Sequence, residues 1–364
     1  MDLIDFFNSP ELELPGSWDT YSGSFEQYIA EVFRKYQINL NSIVAKDYLS
    51  RRVLQQAGVA NLLCSQLQFS IQHSLNGNVT QGYAALSAAL NQIQTVLAGL
   101  YTVDDISGAL DHLYRIRKDS RPILSRGDLF HVPFQDRQKA ATCRYSIAQL
   151  PCLYLGGSAY VCWEESGQPP LNSFHLSRFK PRAGKRIKVL DLGLRPALLA
   201  AMIDSGRYKS QLSGSSRASN LVVAHAVCWP LVAACSVKVK SQNGSLRPEY
   251  LVPQMVLQWL TNNTNIDGVR YFTTKVSQYH PDPVSISNYA FPVRTTKPTG
   301  YCDHLKARFQ LSQPVFWPTV SPTAPAIGNT PHTNFTINIP ATQYNQTDLG
   351  RLQHCAANMP CAPI

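Results

Sequence analysis

A short stretch in the middle of the chain constrains the fold more tightly than any other. Residues 152–155 form a brief apolar run of the buried-strand type. The Gly-Gly pair at 156–157 allows a sharp turn, because glycine tolerates positive φ. Ser158 then predicts the N-cap of a helix. We therefore expect a strand, a turn and a helix in succession, with the paired glutamates at 164–165 brought back near the strand ends.

The same stretch begins with a cation and a hydroxyl two residues apart, Arg144 and Ser146. On a strand, side chains with this spacing share a face. Together with Tyr154 and the glutamate pair they form a small polar group in otherwise apolar surroundings. This group is the candidate functional site.

Composition sets the broad class of the protein. The chain has 364 residues, of which 44% are hydrophobic, enough for two ordinary domains with full cores. No apolar run approaches about 18 residues, and the N-terminus lacks the basic start of a signal peptide, so we expect a cytoplasmic protein without a membrane segment. The nine cysteines are odd in number and lack C-x-x-C pairs, which argues against a disulfide framework and against a zinc site.

The net charge of +10 is unevenly distributed along the chain. Residues 1–105 hold five Lys/Arg against ten Asp/Glu, a net charge of −5. Residues 106–312 hold 27 against 12, a net charge of +15, and residues 313–364 hold one of each. An anionic partner is therefore expected to bind the middle segment.

Three regions follow from these shifts in composition. Residues 1–105 carry repeated helical patterns and predict an acidic α-helical region. Residues 106–312 mix short strands, such as 269–274, with helices, which predicts an α+β domain. Residues 313–364 hold eight of the 24 prolines, so we expect an irregular or disordered tail rich in Pro, Thr and Asn.

One apolar run in the middle region carries a proline. Residues 220–239 form a long apolar run, but Pro230 lies inside it. Proline lacks the N–H that a helix interior needs. The sequence therefore predicts a break at this position.

Five motifs in order resemble the RES-domain family: Tyr-Arg at 114–115, Arg-Tyr-Ser at 144–146, Leu-Tyr-Leu at 153–155, Glu-Glu at 164–165 and Asp-Gly-Val-Arg-Tyr-Phe-Thr at 267–273. That family is named for its Arg, Glu and Ser. Its members are bacterial toxins, often paired with an antitoxin, that attack NAD⁺, and their fold is similar to that of ADP-ribosyltransferases. The resemblance covers residues 109–312 and depends on the order and spacing of the motifs together. It implies a RES-like catalytic domain between the helical region and the tail.

The resemblance implies which residues contact the dinucleotide. The two family arginines fall on Arg115 and Arg144, and the family tyrosine falls on Tyr154. Guanidinium groups hold a pyrophosphate through paired hydrogen bonds, and an aromatic ring can stack on nicotinamide or ribose. Dinucleotide contacts are therefore expected from Arg115, Arg117, Arg144, Ser146 and Tyr154.

The resemblance also implies a catalytic set. The family glutamate falls on Glu165 or Glu164, which a helix separates by about 100°, so only one faces the site. We favour Glu165, because it lies two turns after the expected N-cap. The family serine falls on Thr273, which keeps the hydroxyl but adds a methyl group. Arg115 completes the expected catalytic residues.

The implied chemistry is cleavage of the nicotinamide–ribose bond of NAD⁺. Nicotinamide is already a cationic leaving group, so the remaining task is to stabilise an oxocarbenium charge, which a carboxylate can do. NAD⁺ is then a substrate, and no metal is expected. Hydrolysis, phosphorolysis and ADP-ribosyl transfer all stay open. The implied partners are an antitoxin or immunity protein and a macromolecular ADP-ribose acceptor.

Without the resemblance, the same residues have ordinary structural roles. The glutamate pair would bind nearby arginines, Tyr154 would belong to the core, and Arg115 and Arg144 would be surface residues. The alternative function is a non-catalytic basic module for nucleic acid or another anionic partner. No nucleic-acid-binding motif is present, and the arginines lack interleaved aromatic residues.

Overall fold

The computed structural model describes residues 1–103, 112–147, 149–206, 209–241, 246–275, 286–320, 344 and 347–364. The chain forms two units. The first contains Met1–Tyr101, Cys143–Tyr145 and Leu190–Asn262, and the second contains Thr102–Thr142, Ser146–Val189 and Asn263–Ile364. This division differs from the boundaries expected at residues 105 and 312, since residues 190–262 belong with the N-terminal helices. The expected α+β class is confirmed.

The first unit is helical. Its helices are α1 (Leu3–Phe7), α2 (Phe25–Asn41), α3 (Tyr48–Gln55), α4 (Ala57–Leu75), α5 (Val79–Gln92), α6 (Gln94–Leu97), α8 (Pro196–Asp204), α9 (Lys209–Leu212), α10 (Arg217–Cys235) and α11 (Leu251–Asn262). Helix α2 shows why the sequence forms them. Ser24 and Gln27 make a reciprocal capping box, and Phe25, Ile29 and Phe33 are buried along one face.

Helix α10 is buried along almost its whole length, and it contradicts the break predicted at Pro230. The helix runs unbroken from Arg217 to Cys235. A proline at position 230 cannot donate to the carbonyl oxygen of Ala226, but the Tyr36 hydroxyl does so instead, at 2.8 Å. This replacement donor explains why the helix continues. By length and hydropathy α10 is able to cross a membrane, yet 83% of its most apolar window is buried inside the protein.

The second unit is built on a sheet. The strands of the chain are β1 (Tyr101–Val103), β2 (Leu113–Lys118), β3 (Cys152–Gly156), β4 (Phe174–Pro181), β5 (Lys188–Leu192), β6 (Gly268–Phe272), β7 (Ser287–Pro292), β8 (Phe309–Ser312), β9 (Val315–Phe316) and β10 (Cys361–Ala362). Among the described residues the sheet order is β1-β5-β6-β7-β3-β2-β4-β8-β10, and β9 pairs with β4. The helices of this unit are α7 (Ala159–Glu165), α12 (Asp303–Arg308), α13 (Trp317–Val320) and α14 (Asp348–Asn358).

Two apolar clusters cover the two faces of this sheet. Leu113, Leu153 and Phe291 belong to one cluster. The other contains Tyr114 together with Trp163 of α7. Since Leu113 and Tyr114 are neighbours on β2, their side chains point to opposite faces. The candidate site lies on the Tyr114 face, which α7 covers.

The C-terminal segment is not the irregular tail that its composition predicts. Leu349, Leu352 and Ala356 of α14 are buried in the cluster with Trp163, and β10 pairs antiparallel with β8. The spacing of these apolar residues is helical, a signal that the many prolines of the region hid. Residues 321–343 of the expected tail lie outside the described residues.

Asp267 fixes the edge where β6 begins. Its backbone N–H donates to the Lys188 carbonyl oxygen at 2.7 Å, and its Oδ2 accepts from the Lys188 N–H at 2.9 Å. Oδ1 lies 3.2 Å from Arg308 Nη2 and 3.6 Å from His304 Nε2. Burial alone would raise the pKa of Asp267, but these three partners outweigh it and hold the pKa below its ordinary value.

Replacing Asp267 by asparagine should lower the free energy of unfolding by roughly 1–3 kcal/mol at pH 7, because a charged hydrogen-bond acceptor is lost. The folded-state pKa is depressed below the unfolded value of about 3.9. The contribution is therefore complete above that value and is lost as pH falls through the folded-state pKa. Urea unfolding at several pH values should show the difference from the original chain narrowing below about pH 4. Asp303→Asn, at an exposed carboxylate, is the control.

Candidate active site

The strand and helix expected at residues 152–165 are present as β3 and α7, but the glycines between them do not adopt the positive φ on which the expected turn was based. Ser158 caps α7 by accepting from the Val161 N–H, as the sequence predicts. Gly156, two residues before Ser158, allows a close approach, because a Cβ at this position would lie 2.7 Å from Cys162 Sγ. Gln353 Oε1 of α14 accepts from the Ala159 N–H at 2.7 Å and so satisfies another free donor of the first turn.

Glu165 ends α7, and side chains from two other segments hold its carboxylate. Thr273 Oγ1 and Asn288 Nδ2 each donate to Glu165 Oε1 at 2.8 Å. Lys275 Nζ lies 3.3 Å from Oε2 and donates to the Glu165 backbone carbonyl at 2.9 Å. The side chain remains 34% exposed. Oε1 of Glu165 therefore accepts from two donors, Thr273 and Asn288, whereas Oε2 faces the ammonium group of Lys275 on a partly exposed side of the carboxylate.

The Thr273 hydroxyl is used in both directions. It donates to Glu165 and accepts from the Lys275 backbone N–H at 3.2 Å. Thr273 directly follows β6, because the strand expected at residues 269–274 ends at Phe272. The threonine methyl group does not prevent the hydroxyl from reaching the glutamate.

Glu164 turns to different partners. Its Oε2 accepts from Gln168 Nε2 at 3.1 Å. Burial, followed by the charge of Glu164 and a hydrogen bond to it, raises the pKa of the Tyr160 hydroxyl. The two glutamates thus have separate environments, and Glu165 is the one joined to Thr273.

Two tyrosines lie on the same face of the sheet as Asn288. Tyr154 pairs with Ala290, which is two residues from Asn288 on β7, and Tyr271 pairs directly with Asn288. Strand alternation therefore places Tyr154, Tyr271 and Asn288 on one face. Tyr154, which the sequence predicted for the site, thus lies on the strand next to Asn288, two residues along from the position that pairs with it.

Arg115 and Arg117 lie on the other face of the sheet, with Leu113. Arg115 Nη1 donates to the Phe130 carbonyl oxygen at 2.5 Å, and Arg117 Nη1 donates to the Asp128 carbonyl oxygen at 2.7 Å. Both arginines therefore anchor the segment around residues 125–130.

Buried Cys162 lies within electrostatic reach of charges on both faces. Burial raises the pKa of its thiol to about 12, Arg115 lowers the pKa, and Glu165 raises it.

Arg144 and Ser146 are not on a strand, so the expectation that they share a strand face is wrong. Residues 144–145 form a turn. Arg144 is buried in the first unit, where it donates to the Cys235 carbonyl oxygen at 3.2 Å and lies 5.2 Å from the centroid of the Tyr250 ring. Ser146 is buried in the second unit. Their contact with a dinucleotide stays a prediction.

His131 is held in its neutral form. Its Nε2 accepts from the Cys302 N–H at 2.9 Å, so Nδ1 carries the proton and donates to the Val132 carbonyl oxygen at 2.7 Å. Burial lowers its pKa to about 4. With both ring nitrogens engaged, it is a structural residue. Within the described ranges, no group of three or more His, Cys, Asp or Glu side chains is arranged to hold a metal.

The sequence reasoning missed Asn288 and Lys275. Asn288 and Ser287 are the polar residues at the start of an otherwise largely apolar strand, Ser287–Pro292, and an amide in such a run was an available signal. Lys275 follows the second of two threonines, where a basic residue has no distinctive pattern.

Comparison with known proteins assigns the chain to a family. No protein-family model matches it. A chain in the crystal structure of the M. tuberculosis MbcT-MbcA toxin-antitoxin complex matches 61% of this chain and 90% of its own length, at 15% identity and a TM-score of 0.26, too low to compare sites. The Bacillus subtilis (strain 168) protein "Putative toxin YopC" is 31% identical over 351 residues, which cover 92% of this chain and 76% of that protein. At this identity over most of both proteins, the chain belongs to the YopC family.

Proposed function

We propose that this chain is a toxin that cleaves the bond between nicotinamide and ribose in NAD⁺. The name of its relative supports a toxin, and the resemblance to RES domains supports NAD⁺ as the substrate. The observation that carries the proposal is the 2.8 Å hydrogen bond between Thr273 and Glu165. These residues are 108 positions apart and come from separate motifs, yet their side chains are in hydrogen-bonding contact.

Glu165 has the chemistry that the reaction needs. Its Oε1 is engaged by Thr273 and Asn288, and Oε2, which lies beside the Lys275 ammonium group, is the oxygen that would face the ribose. A carboxylate there can accept from the ribose 2′-hydroxyl and stabilise the oxocarbenium charge as nicotinamide leaves. Tyr154, on the same face, would flank the nicotinamide or ribose. The roles predicted for Arg115, Arg117, Arg144 and Ser146 in holding the pyrophosphate remain part of this proposal.

The direct test is to incubate the purified chain with NAD⁺ and measure free nicotinamide. Three conditions separate the reactions: buffer alone for hydrolysis, added inorganic phosphate for phosphorolysis, and cell extract for transfer of ADP-ribose to a macromolecule. We expect nicotinamide in at least one condition. NAD⁺ that stays intact in all three would reject the proposed activity.

The role of Thr273 can be tested by two substitutions that the competing interpretations rank in opposite orders. Thr273→Ser keeps the hydroxyl that donates to Glu165 and should be tolerated. Thr273→Val is nearly isosteric but lacks this donor, so NAD⁺ turnover should fall roughly 10- to 100-fold. If Thr273 is only a β-branched packing residue, valine should be neutral and serine mildly destabilising. Turnover and melting temperature of both variants distinguish the two roles.

The alternative of a basic binding module has less support, because internal contacts use several cations of the middle segment. Arg178 donates to the Ala357 carbonyl oxygen, Arg182 donates to the Lys306 carbonyl oxygen, and Arg308 pairs with Asp267. Part of the positive charge thus holds the second unit together. For a toxin made inside its own cell, we also propose a cognate antitoxin or immunity protein as the partner.

A further inference from the structure

We propose that Asn288 is a positioning residue that sets which oxygen of Glu165 meets the substrate. This inference deepens the proposed NAD⁺ cleavage and rests on it. Asn288 contributes through Glu165 rather than through the dinucleotide itself.

The first support is the hydrogen-bond geometry at the carboxylate. An ionised carboxylate only accepts, so the group of Asn288 that faces Glu165 must be its NH₂. Asn288 Nδ2 and Thr273 Oγ1 both donate to Oε1, each at 2.8 Å. Two donors arriving at one oxygen from different segments fix both the position and the plane of the carboxylate.

The second support is the rigidity of the Asn288 backbone. Asn288 is buried on β7 and pairs with Tyr271 of β6 on one side and with Gly156 of β3 on the other. A residue in the interior of a sheet has little freedom to shift. Glu165, by contrast, is the last residue of α7, and helix ends fray. The hydrogen bond from Asn288 on β7 therefore fixes the position of the Glu165 side chain, which the end of α7 does not fix by itself.

The two carboxylate oxygens of Glu165 consequently have different roles: one is held by protein donors and the other is available to the substrate. Oε1 is occupied by the clamp of Thr273 and Asn288, whereas Oε2 lies 3.3 Å from Lys275 Nζ. A cationic ribosyl group can take the place of that ammonium group beside Oε2. Without Asn288, the carboxylate can rotate and present either oxygen, so the reacting geometry is populated less often.

The test compares Asn288→Ala with Asn288→Asp, measuring kcat, KM and melting temperature. Asn288→Ala removes the donor, so kcat for NAD⁺ should fall roughly 10- to 100-fold while KM changes little. Asn288→Asp keeps the shape but sets a second carboxylate against Glu165. It should lose at least as much activity at neutral pH and recover part of it as the pH falls and the new carboxyl becomes a donor.

A purely structural role predicts a different order. The isosteric Asn288→Asp would then be the milder variant, and activity would follow melting temperature without recovery at low pH. Ser287→Ala is the matched control, because Ser287 is the buried neighbour on the same strand and binds Arg270 Nε at 2.9 Å on the opposite face. A loss of kcat in Asn288→Ala no larger than in Ser287→Ala would overturn the proposal.

A readout independent of activity separates this inference from the proposed function. In an NMR spectrum of the full chain, the side-chain amide signal of Asn288 should shift when Glu165 is replaced by glutamine, because its acceptor loses charge. An unchanged signal would overturn the clamp even in an active enzyme. Absence of NAD⁺ cleavage by the original chain, together with a shifted signal, would reject the NAD⁺ reaction while leaving the clamp supported.

Discussion

Glu165→Gln is expected to lower NAD⁺ turnover by roughly 100-fold or more. Glutamine retains an oxygen that accepts from Thr273 and Asn288, so the clamp on the first oxygen is preserved. The second oxygen becomes an NH₂ group, which carries no negative charge to stabilise an oxocarbenium ion and which faces the Lys275 ammonium group. The loss should therefore appear in kcat, measured by nicotinamide release at saturating NAD⁺.

Glu164→Gln is the matched control, because it makes the same chemical change one residue earlier on the same helix. Its contacts are with Gln168 and Tyr160, so its turnover should stay close to that of the original chain. Melting temperatures of the two variants should be measured alongside. If Glu164→Gln loses more activity than Glu165→Gln, the assignment of the catalytic glutamate is wrong, although the site itself would stand.

Removing residues 344–364 is expected to have the largest effect on stability. The deletion takes away α14, whose Leu349, Leu352 and Ala356 lie in the cluster that packs under α7, and it takes away β10 from the edge of β8. The exposed apolar surface should cause aggregation or a markedly lower melting temperature. This expectation reverses the one from composition, which predicted an irregular or disordered tail.

A single substitution tests the same packing more gently. Leu352 is fully buried, and Leu352→Ala should lower the free energy of unfolding by about 2–5 kcal/mol through lost burial and the cavity left behind. Arg351→Ala, at an exposed position on the same helix, should change it little. Urea denaturation of both variants provides the measurement. Equal stability of the two would show that α14 does not hold the second unit together.

The sequence predicted best those parts of the site whose structure depends on residues that are neighbours along the chain. The strand at residues 152–155, the N-cap at Ser158 and the helix ending at Glu165 all follow from neighbouring residues, and all are present. The choice of Glu165 over Glu164 as the glutamate that faces the site came from helix geometry combined with the ordered motifs. The structure places those two side chains in contact.

The features that the sequence did not reveal depend on distant contacts. The helix through Pro230 continues because Tyr36 supplies the missing donor to the Ala226 carbonyl oxygen, 190 residues away from it. The clamp from Asn288 requires the pairing of β7 between β3 and β6. The grouping of residues 190–262 with the N-terminal helices and the packing of α14 likewise arise from surfaces that no local pattern identifies. Residues 104–105, where the first boundary was expected, lie outside the described part of the chain.

The bond from Gln353 to the first turn of α7 joins residues 194 positions apart, and this separation has a consequence for biosynthesis. A ribosome makes the helix that carries Glu165 long before it makes the segment that seats that helix. A nascent chain thus holds its glutamate on a helix that lacks the apolar residues of α14 and one N-terminal acceptor. Under the proposed NAD⁺ cleavage, we expect this order to delay activity until the late segment has folded onto the sheet, which would give an inhibitor time to bind.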